Sequence, residues 1–248
     1  MPKQKKAICV ANGDIKNFRI IKKILADKFN FYEQNSNFFI IAADGGALNC
    51  FNLDLIPDVI IGDMDSITTD VVLKLNKKLS NKNTNNYNLN KNKIENMEKI
   101  KKKEISFVNY KQDKDESDTQ LALDYLVDLG FNNILILGAF GSRIDHSLAN
   151  LLLLCNPKYE NTEVKIITEE NEIFVLQKSG TIKSEIGKKI SIFSMTPYTY
   201  FIKTLGLKYS LKDEKLLFSP IRGLSNEFTK NSAKIMFSEG KILIIKEL

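Results

Sequence analysis

The sequence predicts an α/β domain followed by an all-β sandwich. The first domain is expected to be Rossmann-like, a mostly parallel sheet with helices on both faces, because apolar runs of strand length alternate there with segments of helical periodicity. From about Glu163 onward, seven short apolar runs are separated by glycine or polar turns, which is typical of a sandwich. We place the domains at 1–157 and 158–248, because the segment NPKYEN between them contains a proline and shows no periodicity.

The elements of both domains follow in order from local patterns. Buried-strand runs predict five strands in the first domain, at 6–11, 38–42, 59–61, 105–108 and 134–137. Apolar residues at helical spacing predict helices at 18–29, at 121–129 and from 148 to 154. The seven runs of the second domain are VKIITEE, EIFVLQ, KISIFSM, YFIKTLGL, KLLFSP, AKIMFS and KILIIKEL.

An insertion rich in asparagine and lysine interrupts the first domain at about 76–103. Residues 76–96 contain nine asparagines and five lysines with almost nothing apolar to bury, so we expect a disordered or loosely ordered segment. Ten lysines lie between residues 74 and 103, and they account for the net charge of +6. Because the remaining chain is mildly acidic and has only three arginines, we expect no nucleic-acid partner.

The composition indicates a globular protein, with 43% hydrophobic and 27% charged residues. No apolar run has the length that a bilayer span needs, and no signal-peptide pattern precedes the first acidic residue, so we expect a cytoplasmic protein without a membrane partner. Three widely spaced cysteines form neither a disulfide framework nor a zinc pattern.

Acidic residues follow four of the predicted strands. Asp44 ends one strand, Asp63 and Asp65 end the next, and the others follow the last two strands, namely Asp113, Asp115, Asp118 and Asp145. Since the carboxyl ends of parallel strands meet at one edge, these carboxylates are expected to converge. Converging carboxylates require a positive partner, and Mg²⁺ bound to phosphates fits oxygen ligands of this kind. Glycines at 45, 46, 138 and 141 would let the backbone approach a phosphate, and Arg143 would offset phosphoryl charge.

Each of these features also has a purely structural interpretation. Asp65 or Ser66 could cap the helix that follows, as could Ser117 or Asp118, and His146 could orient a carboxylate instead of acting in catalysis. A P-loop, a GxGxxG fingerprint, a GxSxG elbow and an HExxH motif are all missing from the sequence. The sequence therefore argues against a P-loop enzyme and against a nicotinamide dehydrogenase. The prediction of a metal and phosphate site rests on the four acidic strand ends taken together.

Taken as an ordered set, the motifs resemble the thiamin pyrophosphokinase family. The residues that carry the resemblance are ADGGA at 43–47, PDVIIGDMDSI at 57–67, DKDESD at 113–118, LGAFGSRIDHSLAN at 137–150, and the later GLKYSL and GLSNEF. The resemblance covers both domains and leaves out only the insertion. It implies a homodimer that transfers the pyrophosphoryl group of ATP to the hydroxyl of thiamine, giving thiamine diphosphate and AMP.

The resemblance also implies roles for individual residues. Nucleotide contacts are implied for Asp44, Gly45, Gly46, Lys114, Asp115, Ser117 and Arg143. Mg²⁺ ligands are implied at Asp63, Asp65 and Asp115, and catalytic roles at Asp65, Asp118, Arg143 and Asp145. Thiamine would be held across the subunit interface by Tyr209, Ser225 and Asn226 of the partner's β-domain. Many members have tryptophan in place of Tyr209 and threonine in place of Ser117.

Several alternatives stay open on the sequence alone. Tyr209 is equally well interpreted as a core aromatic of the sandwich, and the hydroxyl proton could pass to Asp118 or to Asp65. Two other functions use the same crevice: a different Mg²⁺-dependent nucleotide phosphotransferase or hydrolase, and a regulatory module that binds thiamine or thiamine diphosphate. Retention of so many mutually repelling carboxylates favours an enzyme over a binding module.

Overall fold

The computed structural model describes residues 4–33, 37–65, 67–82, 105–110 and 115–248. The chain divides into two compact units, 1–150 and 151–248, so the division falls a few residues before the predicted boundary. Lys114 and residues 83–103 of the predicted insertion lie outside the described residues.

The first unit contains five strands and five helices within the described residues. The strands are β1 (Lys6–Val10), β2 (Phe38–Ala43), β3 (Val59–Gly62), β4 (Ser106–Asn109) and β5 (Asn133–Leu137). The helices are α1 (Phe18–Phe29), α2 (Gly46–Asn52), α3 (Thr69–Lys82), α4 (Asp118–Asp128) and α5 (Ile144–Leu153), the last of which crosses the division between the units. All five predicted strands are confirmed, as are the helices expected at 18–29, 121–129 and 148–154.

The parallel sheet has the order β5-β1-β2-β3-β4, and every pair is parallel. Each residue from Ala7 to Val10 in β1 is fully buried, so both faces of this strand are covered. The strand order reverses between β1 and β5. In open α/β sheets this switch point is where the loops beyond the carboxyl ends separate and leave a crevice for a ligand.

Helix α3 corrects part of the predicted insertion. Residues 76–82 are helical rather than disordered, and Lys78 of this segment contacts helix α2 and the turn after it. The Lys78 ammonium lies 2.6 Å from the Asp54 carboxylate, donates to the Phe51 carbonyl at 2.7 Å and sits 4.0 Å from the centre of the Phe51 ring. Lys22 on α1 binds the same Asp54 carboxylate. These contacts give the lysine-rich helix a partner that hydrophobic periodicity alone does not reveal.

The second unit contains nine antiparallel strands. They are β6 (Glu163–Ile167), β7 (Asn171–Leu176), β8 (Gly180–Lys183), β9 (Lys189–Ser194), β10 (Tyr198–Leu205), β11 (Lys212–Leu217), β12 (Asn226–Glu227), β13 (Ser232–Glu239) and β14 (Ile242–Glu247). One sheet has the order β6-β7-β14-β9-β12 and the other β8-β13-β10-β11. The seven predicted runs are confirmed as strands, whereas the short β8 and β12 were not predicted.

A single apolar core joins the two sheets of the second unit. Ile192 on β9 and Ile244 on β14 come from one sheet, and Phe201 on β10 and Ile235 on β13 come from the other. This shared core confirms the predicted sandwich. Within the described residues, no helix combines the length and the apolar character that crossing a membrane requires.

Candidate active site at the carboxyl edge of the parallel sheet

A cavity of about 540 Å³ opens at the carboxyl edge of the parallel sheet in the first unit. Its walls come from the loops after β1, β2, β3 and β5 and from the first turns of α4 and α5. The predicted site residues among its walls are Asp44, Asp63, Asp65, Ser117, Asp118, Arg143 and His146. The convergence that was inferred from strand ends is therefore present in the structure, within the size range of small-molecule sites.

Three carboxylates in this cavity are close enough to share one ion. Each of Asp44, Asp63 and Asp65 offers an oxygen, and these oxygens all lie within 4.8 Å of one another. Asp44 is buried, Asp63 is half-buried and Asp65 is exposed, so the cluster runs from the interior of the cavity toward solvent. Like charges at this distance repel in the absence of a cation, and Mg²⁺ prefers ligands of this chemistry.

The buried member, Asp44, is held in a strained position. Its φ of 45° lies in the left-handed region, and its N–H donates to the Ile61 carbonyl at 2.7 Å. Only 5% of the residue is exposed, and its Oδ1 has no hydrogen-bond partner within the described residues. An unpaired buried carboxylate oxygen is costly, so this atom fits a ligand that the cavity is built to receive.

Gly62 allows two carboxylates to approach one point. A side chain at this position would place its Cβ 2.9 Å from Asp44 Cβ and 3.2 Å from Asp118 Oδ1, and its φ of 148° is unfavourable for other residues. The glycine of the GDxDS motif is thus explained by crowding between β2, β3 and α4. On the far side, Asp65 N–H donates to Asp63 Oδ1 at 3.2 Å across Met64, whose φ is 65°.

Arg143 and Asp145 form an ion pair at the start of α5. The guanidinium donates from Nη2 to Asp145 Oδ2 at 2.6 Å and from Nε to Asp145 Oδ1 at 3.3 Å. Hydrogen bonding from Arg143 lowers the pKa of Asp145 to about 2 and raises the pKa of Arg143. Arg143 lines the cavity, whereas Asp145 is not among the cavity residues. The catalytic role of Asp145 stays a prediction.

The loop from Gly138 to Arg143 is tied down by α5. Ser147 Oγ accepts from the Gly141 N–H at 3.1 Å and donates to the Arg143 carbonyl at 3.0 Å. The buried Asn150 amide donates to the Ala139 carbonyl at 2.7 Å. These bonds fix the loop that carries Arg143, so little of its conformational freedom remains to be lost when a ligand binds.

The DKDESD segment is only partly described. Ser117 is the N-cap of α4, where its Oγ accepts from the Gln120 N–H at 3.2 Å, so the capping interpretation is confirmed. Ser117 and Asp118 also line the cavity. Asp115 is exposed and belongs neither to the three-carboxylate cluster nor to the cavity walls, so its metal and nucleotide roles stay predictions.

Gly45 and Gly46, for which nucleotide contacts were predicted, are packed closely against neighbouring residues. A Cβ at Gly46 would lie 2.1 Å from the Val10 carbonyl oxygen, so only glycine lets α2 begin against β1. A Cβ at Gly45 would lie 2.4 Å from Asn12 Nδ2, because the Asn12 side chain rests on this residue. Close helix-to-strand packing thus accounts for DGG, and nucleotide contact at these glycines stays a prediction.

In the second unit, Tyr209 lies on the loop between β10 and β11, and Ser225 and Asn226 lie at the start of β12. Tyr209 is 63% exposed, so it is not the core aromatic that the sequence left open. The buried Asn226 amide holds the backbone of Tyr209, accepting from its N–H at 3.0 Å and donating to its carbonyl at 2.7 Å. Ser225 is exposed, with a φ of 54°, and its N–H donates to Ser191 Oγ at 3.1 Å. Tyr209 and Ser225 are accessible, whereas the buried Asn226 holds the backbone of Tyr209.

A family model described as the catalytic domain of thiamin pyrophosphokinase matches residues 32–166, more than half of the chain. The chain belongs to the thiamin pyrophosphokinase family. A second model, described as the vitamin B1 binding domain of thiamin pyrophosphokinase, matches residues 177–242. This segment of the chain contains Tyr209, Ser225 and Asn226. Each unit of the structure thus corresponds to one domain of this family.

Curated relatives and solved structures agree with the family. The thiamine pyrophosphokinase of Bacillus subtilis is 23% identical over 227 residues, which cover 91% of this chain and 94% of that protein. Thiamin pyrophosphokinase 1 of Caenorhabditis elegans is 24% identical over 73% of this chain and 69% of its own length. The crystal structure of the B. subtilis enzyme has a TM-score of 0.74 at 22% identity, covering 98% and 99% of the two chains. Thiamin pyrophosphokinase from Candida albicans has a TM-score of 0.69 at 18% identity, covering 99% and 89%.

Several residues at the site of this family member were not predicted, and four of them lie in or against the loop after β1. Asn12, Gly13 and Asp14 follow β1 and line the cavity, and Asn49 on α2 donates from Nδ2 to the Ala11 and Gly13 carbonyls at 2.9 and 2.8 Å. The loop after β1 also pairs with the loop after β5 through the Gly13 N–H and the Gly138 carbonyl at 2.8 Å. The signal that could have found this loop was Asp14, because β1 is then a fifth strand that an acidic residue follows.

Proposed function

We propose that this chain transfers the pyrophosphoryl group of ATP to the hydroxyl of thiamine, giving thiamine diphosphate and AMP. The observation that carries the proposal is the cluster of Asp44, Asp63 and Asp65 with its unpaired buried oxygen, in a cavity within the matched catalytic domain. Such a cluster suits a metal-bound polyphosphate. Membership of a family whose relatives are named for this reaction supports the choice of thiamine as acceptor.

We propose Mg²⁺ as the metal and ATP as the phosphoryl donor. The three clustered carboxylates would hold the ion, and the unpaired Oδ1 of Asp44 fits a direct ligand. When bound, Mg²⁺ neutralises polyphosphate charge and keeps water and phosphate oxygens as its other ligands. Arg143 then supplies a second positive charge from a fixed loop, held in its orientation by Asp145.

The reaction has one bond made and one broken. The thiamine hydroxyl oxygen attacks the β-phosphorus, and the bond from that phosphorus to the oxygen of the α-phosphate breaks, so AMP leaves. We assign the hydroxyl proton to Asp118, which lines the cavity but is not a member of the three-carboxylate cluster. Asp65, the other candidate, lies in the cluster, where a bound cation would lower its basicity.

We further propose a homodimer in which the second unit of one copy supplies thiamine contacts to the first unit of its partner. The exposed Tyr209 and three exposed apolar residues nearby in sequence, Phe218, Ile221 and Leu224, support a covered surface on this unit. An aromatic face suits the thiamine cation. We propose a cytoplasmic location, in keeping with the three free cysteines.

The direct test incubates the purified protein with ATP, Mg²⁺ and thiamine and resolves AMP, ADP and thiamine diphosphate by chromatography. We expect AMP and thiamine diphosphate in equal amounts, with no AMP when thiamine is omitted. Nucleotide turnover that does not depend on thiamine would replace the proposal with a hydrolase. Thiamine binding without turnover would replace it with a regulatory module.

A further inference from the structure

Three helices of the first unit meet at the carboxylate of Asp54, which lies in the turn after α2. Lys22 on α1 binds one carboxylate oxygen, and the Lys78 ammonium on α3 lies 2.6 Å from the other. Lys78 also donates to the Phe51 carbonyl at the end of α2. Hydrogen bonds from the two lysines lower the pKa of Asp54 to about 2, so the carboxylate stays charged at any working pH. None of these residues lines the main cavity.

The other ends of α2 and α3 lead to the carboxylate cluster. Helix α2 begins at Gly46, two residues after Asp44, and α3 begins at Thr69, four residues after Asp65. The strands that precede them, β2 and β3, are neighbours in the sheet. The two helices therefore start from the two halves of the cluster, and Asp54 joins them further along their lengths.

Helix α2 is better anchored than α3. In α2, Cys50 is fully buried and the Asn49 amide donates to two carbonyls of the segment after β1. In α3, the only buried residues among the described side chains are Val71 and Leu75, one turn apart. Apolar packing is not directional, so two such residues leave the tilt of a helix weakly determined. The directional contacts of Lys78 with α2 and its following turn supply what these two residues lack.

A tilt of α3 reaches the cluster through a short connection. The Thr68 carbonyl accepts from the Val71 N–H at 3.0 Å, so helical hydrogen bonding begins there, and only residues 66 and 67 separate Thr68 from Asp65. The helix from Thr68 to Lys78 spans about 15 Å, and a tilt of about 4° around its centre moves Thr68 by roughly 0.5 Å. A shift of this size is large for Mg²⁺, which requires nearly ideal octahedral geometry.

We propose that Asp54 and Lys78 are positioning residues for the carboxylate cluster. Their contact fixes α3 against α2, and this sets the separation of Asp63 and Asp65 from Asp44 and hence the affinity for a divalent cation. The inference rests on the metal site of the proposed function. The Asp54 side chain is 62% exposed, and an exposed ion pair contributes little to global stability, so its effect on metal binding is measurable in folded variants.

The sign of the effect separates positioning from electrostatics. Lys78→Met removes a positive charge from a unit that binds a cation, so charge alone predicts tighter cation binding. Loss of positioning predicts weaker binding. The two explanations therefore lead to opposite changes in Kd for the same variant.

The test measures Mn²⁺ binding to the full chain, without nucleotide or thiamine, by electron paramagnetic resonance of the free ion. We expect the Kd for Mn²⁺ to be about fivefold higher in Lys78→Met than in Lys77→Met. Lys77 is the matched control, because it is exposed on the same helix and its replacement removes the same charge. Lys78→Arg should bind Mn²⁺ as the wild type does, since arginine can also donate to Asp54 and to the Phe51 carbonyl.

Two results would overturn the proposal. One is a Kd for Lys78→Met that is no higher than the Kd for Lys77→Met. The other is a Lys78→Arg protein that binds Mn²⁺ no more tightly than Lys78→Met.

A second variant breaks the same contact without altering α3, which keeps the test valid if Lys78→Met does not fold. Asp54→Asn retains a residue type that tolerates the φ of 59° at this position. Asp27→Asn, on the exposed side of α1, loses the same charge. We expect the Kd for Mn²⁺ to be about threefold higher in Asp54→Asn than in Asp27→Asn. Equal values in the two variants would contradict positioning by Asp54.

The Mg²⁺ dependence of turnover separates this inference from the proposed function. Positioning predicts that Lys78→Met needs about fivefold more Mg²⁺ for half-maximal activity than Lys77→Met, with an unchanged kcat at saturating Mg²⁺. If Lys78→Met weakens Mn²⁺ binding while the wild type forms no thiamine diphosphate, positioning stands and the proposed function fails. If the wild type forms thiamine diphosphate and the two lysine variants have equal metal dependence, the proposed function stands and positioning fails.

Discussion

At the scale of single residues, the site is organised by one buried carboxylate. Asp44 is fixed by a strained backbone, a strand-like hydrogen bond to Ile61 and the absence of a side chain at Gly62, and it has an oxygen that nothing in the described chain satisfies. Asp63 and Asp65 then complete a ligand set from the following strand end. Removing one charge from this set tests whether its function is metal binding.

Asp63→Asn is expected to lower thiamine diphosphate formation by roughly 100-fold, because a neutral amide is a weaker ligand for a hard divalent cation. Part of the loss should be recovered at high Mg²⁺ concentration, and the measurement is kcat/KM as a function of Mg²⁺. Asp27→Asn, at an exposed position on α1, serves as the control for charge and folding. Wild-type turnover by a folded Asp63→Asn protein would contradict metal ligation by this residue.

The pair of Arg143 and Asp145 predicts a specific titration. The pKa of Asp145 is lowered to about 2 by hydrogen bonding from Arg143, so the pair stays intact as the pH falls through 4 and separates only near pH 2. In Arg143→Ala, the pKa of Asp145 should rise toward its ordinary value of 3.8, although the backbone N–H of His146 still lowers it. Carbon-detected NMR of the aspartate carboxyls measures both values. An unchanged low pKa in Arg143→Ala would show that the arginine is not its cause.

Sequence patterns locate some residues of the site correctly but do not determine their burial or their contacts. Strand ends located Asp44, Asp63, Asp65 and Asp118 correctly, because position after a parallel strand fixes where a side chain points. The same reasoning could not tell which of these aspartates is buried, since burial and the crowding at Gly62 depend on how β2, β3 and α4 pack. The role of Asn226 was also beyond reach, because its partner is the backbone of a residue on another loop.

At the scale of elements, the N-cap residue of helix α4 has two candidate roles. Ser117 caps the helix and also faces the cavity, so capping and nucleotide contact have to be separated by variants. Ser117→Ala should lower the free energy of unfolding by about 1 kcal/mol through loss of the cap. Ser117→Asp should keep the cap and so keep stability, while its added charge weakens ATP binding.

The measurements for Ser117 are urea denaturation and the KM for ATP, performed on both variants. If Ser117→Asp keeps stability and raises the KM, the residue has both roles. If Ser117→Asp binds ATP as wild type does, the residue is a cap alone. Equal stability of Ser117→Ala and wild type would contradict the capping assignment.

Element prediction succeeded where burial is continuous and failed where it is not. Strands β1, β2 and β5 were evident because almost every residue in them is buried, and a run of apolar residues identifies that state. Helix α3 was missed because only two of its described side chains, Val71 and Leu75, are buried apolar residues. Its second half is held by Lys78 through an ion pair and an aromatic face, which periodicity does not register. Strand β8 was missed because four residues with a single buried side chain give no periodic signal.

At the scale of the whole molecule, stability should depend on pH through Asp58. Burial raises the pKa of this carboxyl to about 6, although it accepts a hydrogen bond from the Ile40 N–H at 2.7 Å. The folded protein therefore holds this proton more tightly than the unfolded chain, whose carboxyl titrates near 3.8. The stabilisation is fully present below pH 4 and is lost as the pH rises through 6.

We expect Asp58→Asn to be more stable than wild type at pH 7 by roughly 1–3 kcal/mol, with the difference shrinking toward pH 4. The carboxamide oxygen can still accept from the Ile40 N–H, so the hydrogen bond is retained. Urea denaturation of both proteins at pH 4.5, 6 and 7.5 measures this difference. A difference that does not change with pH would refute the raised pKa.

The proposed homodimer predicts complementation between inactive variants. Asp63→Asn disables the carboxylate cluster and Tyr209→Ala removes the exposed aromatic face, and each homodimer is expected to be inactive or strongly impaired. Mixed dimers made by coexpression contain one site with both wild-type contributions, so activity should return if thiamine is bound across subunits. Activity of the mixture no higher than the mean of the two variants would show that each copy contains its own complete site.

The hydrogen bonds from Asn226 to residue 209 do not depend on which aromatic side chain stands at that position. Both hydrogen bonds go to the main chain of residue 209, and its side chain is not part of the support. The backbone conformation of the loop is therefore independent of whether residue 209 is tyrosine or tryptophan. Exchange of tyrosine for tryptophan at position 209 therefore leaves the backbone support unchanged. Under the proposed thiamine contact, this position is the one at which the preference among thiamine analogues can be changed without disturbing the loop.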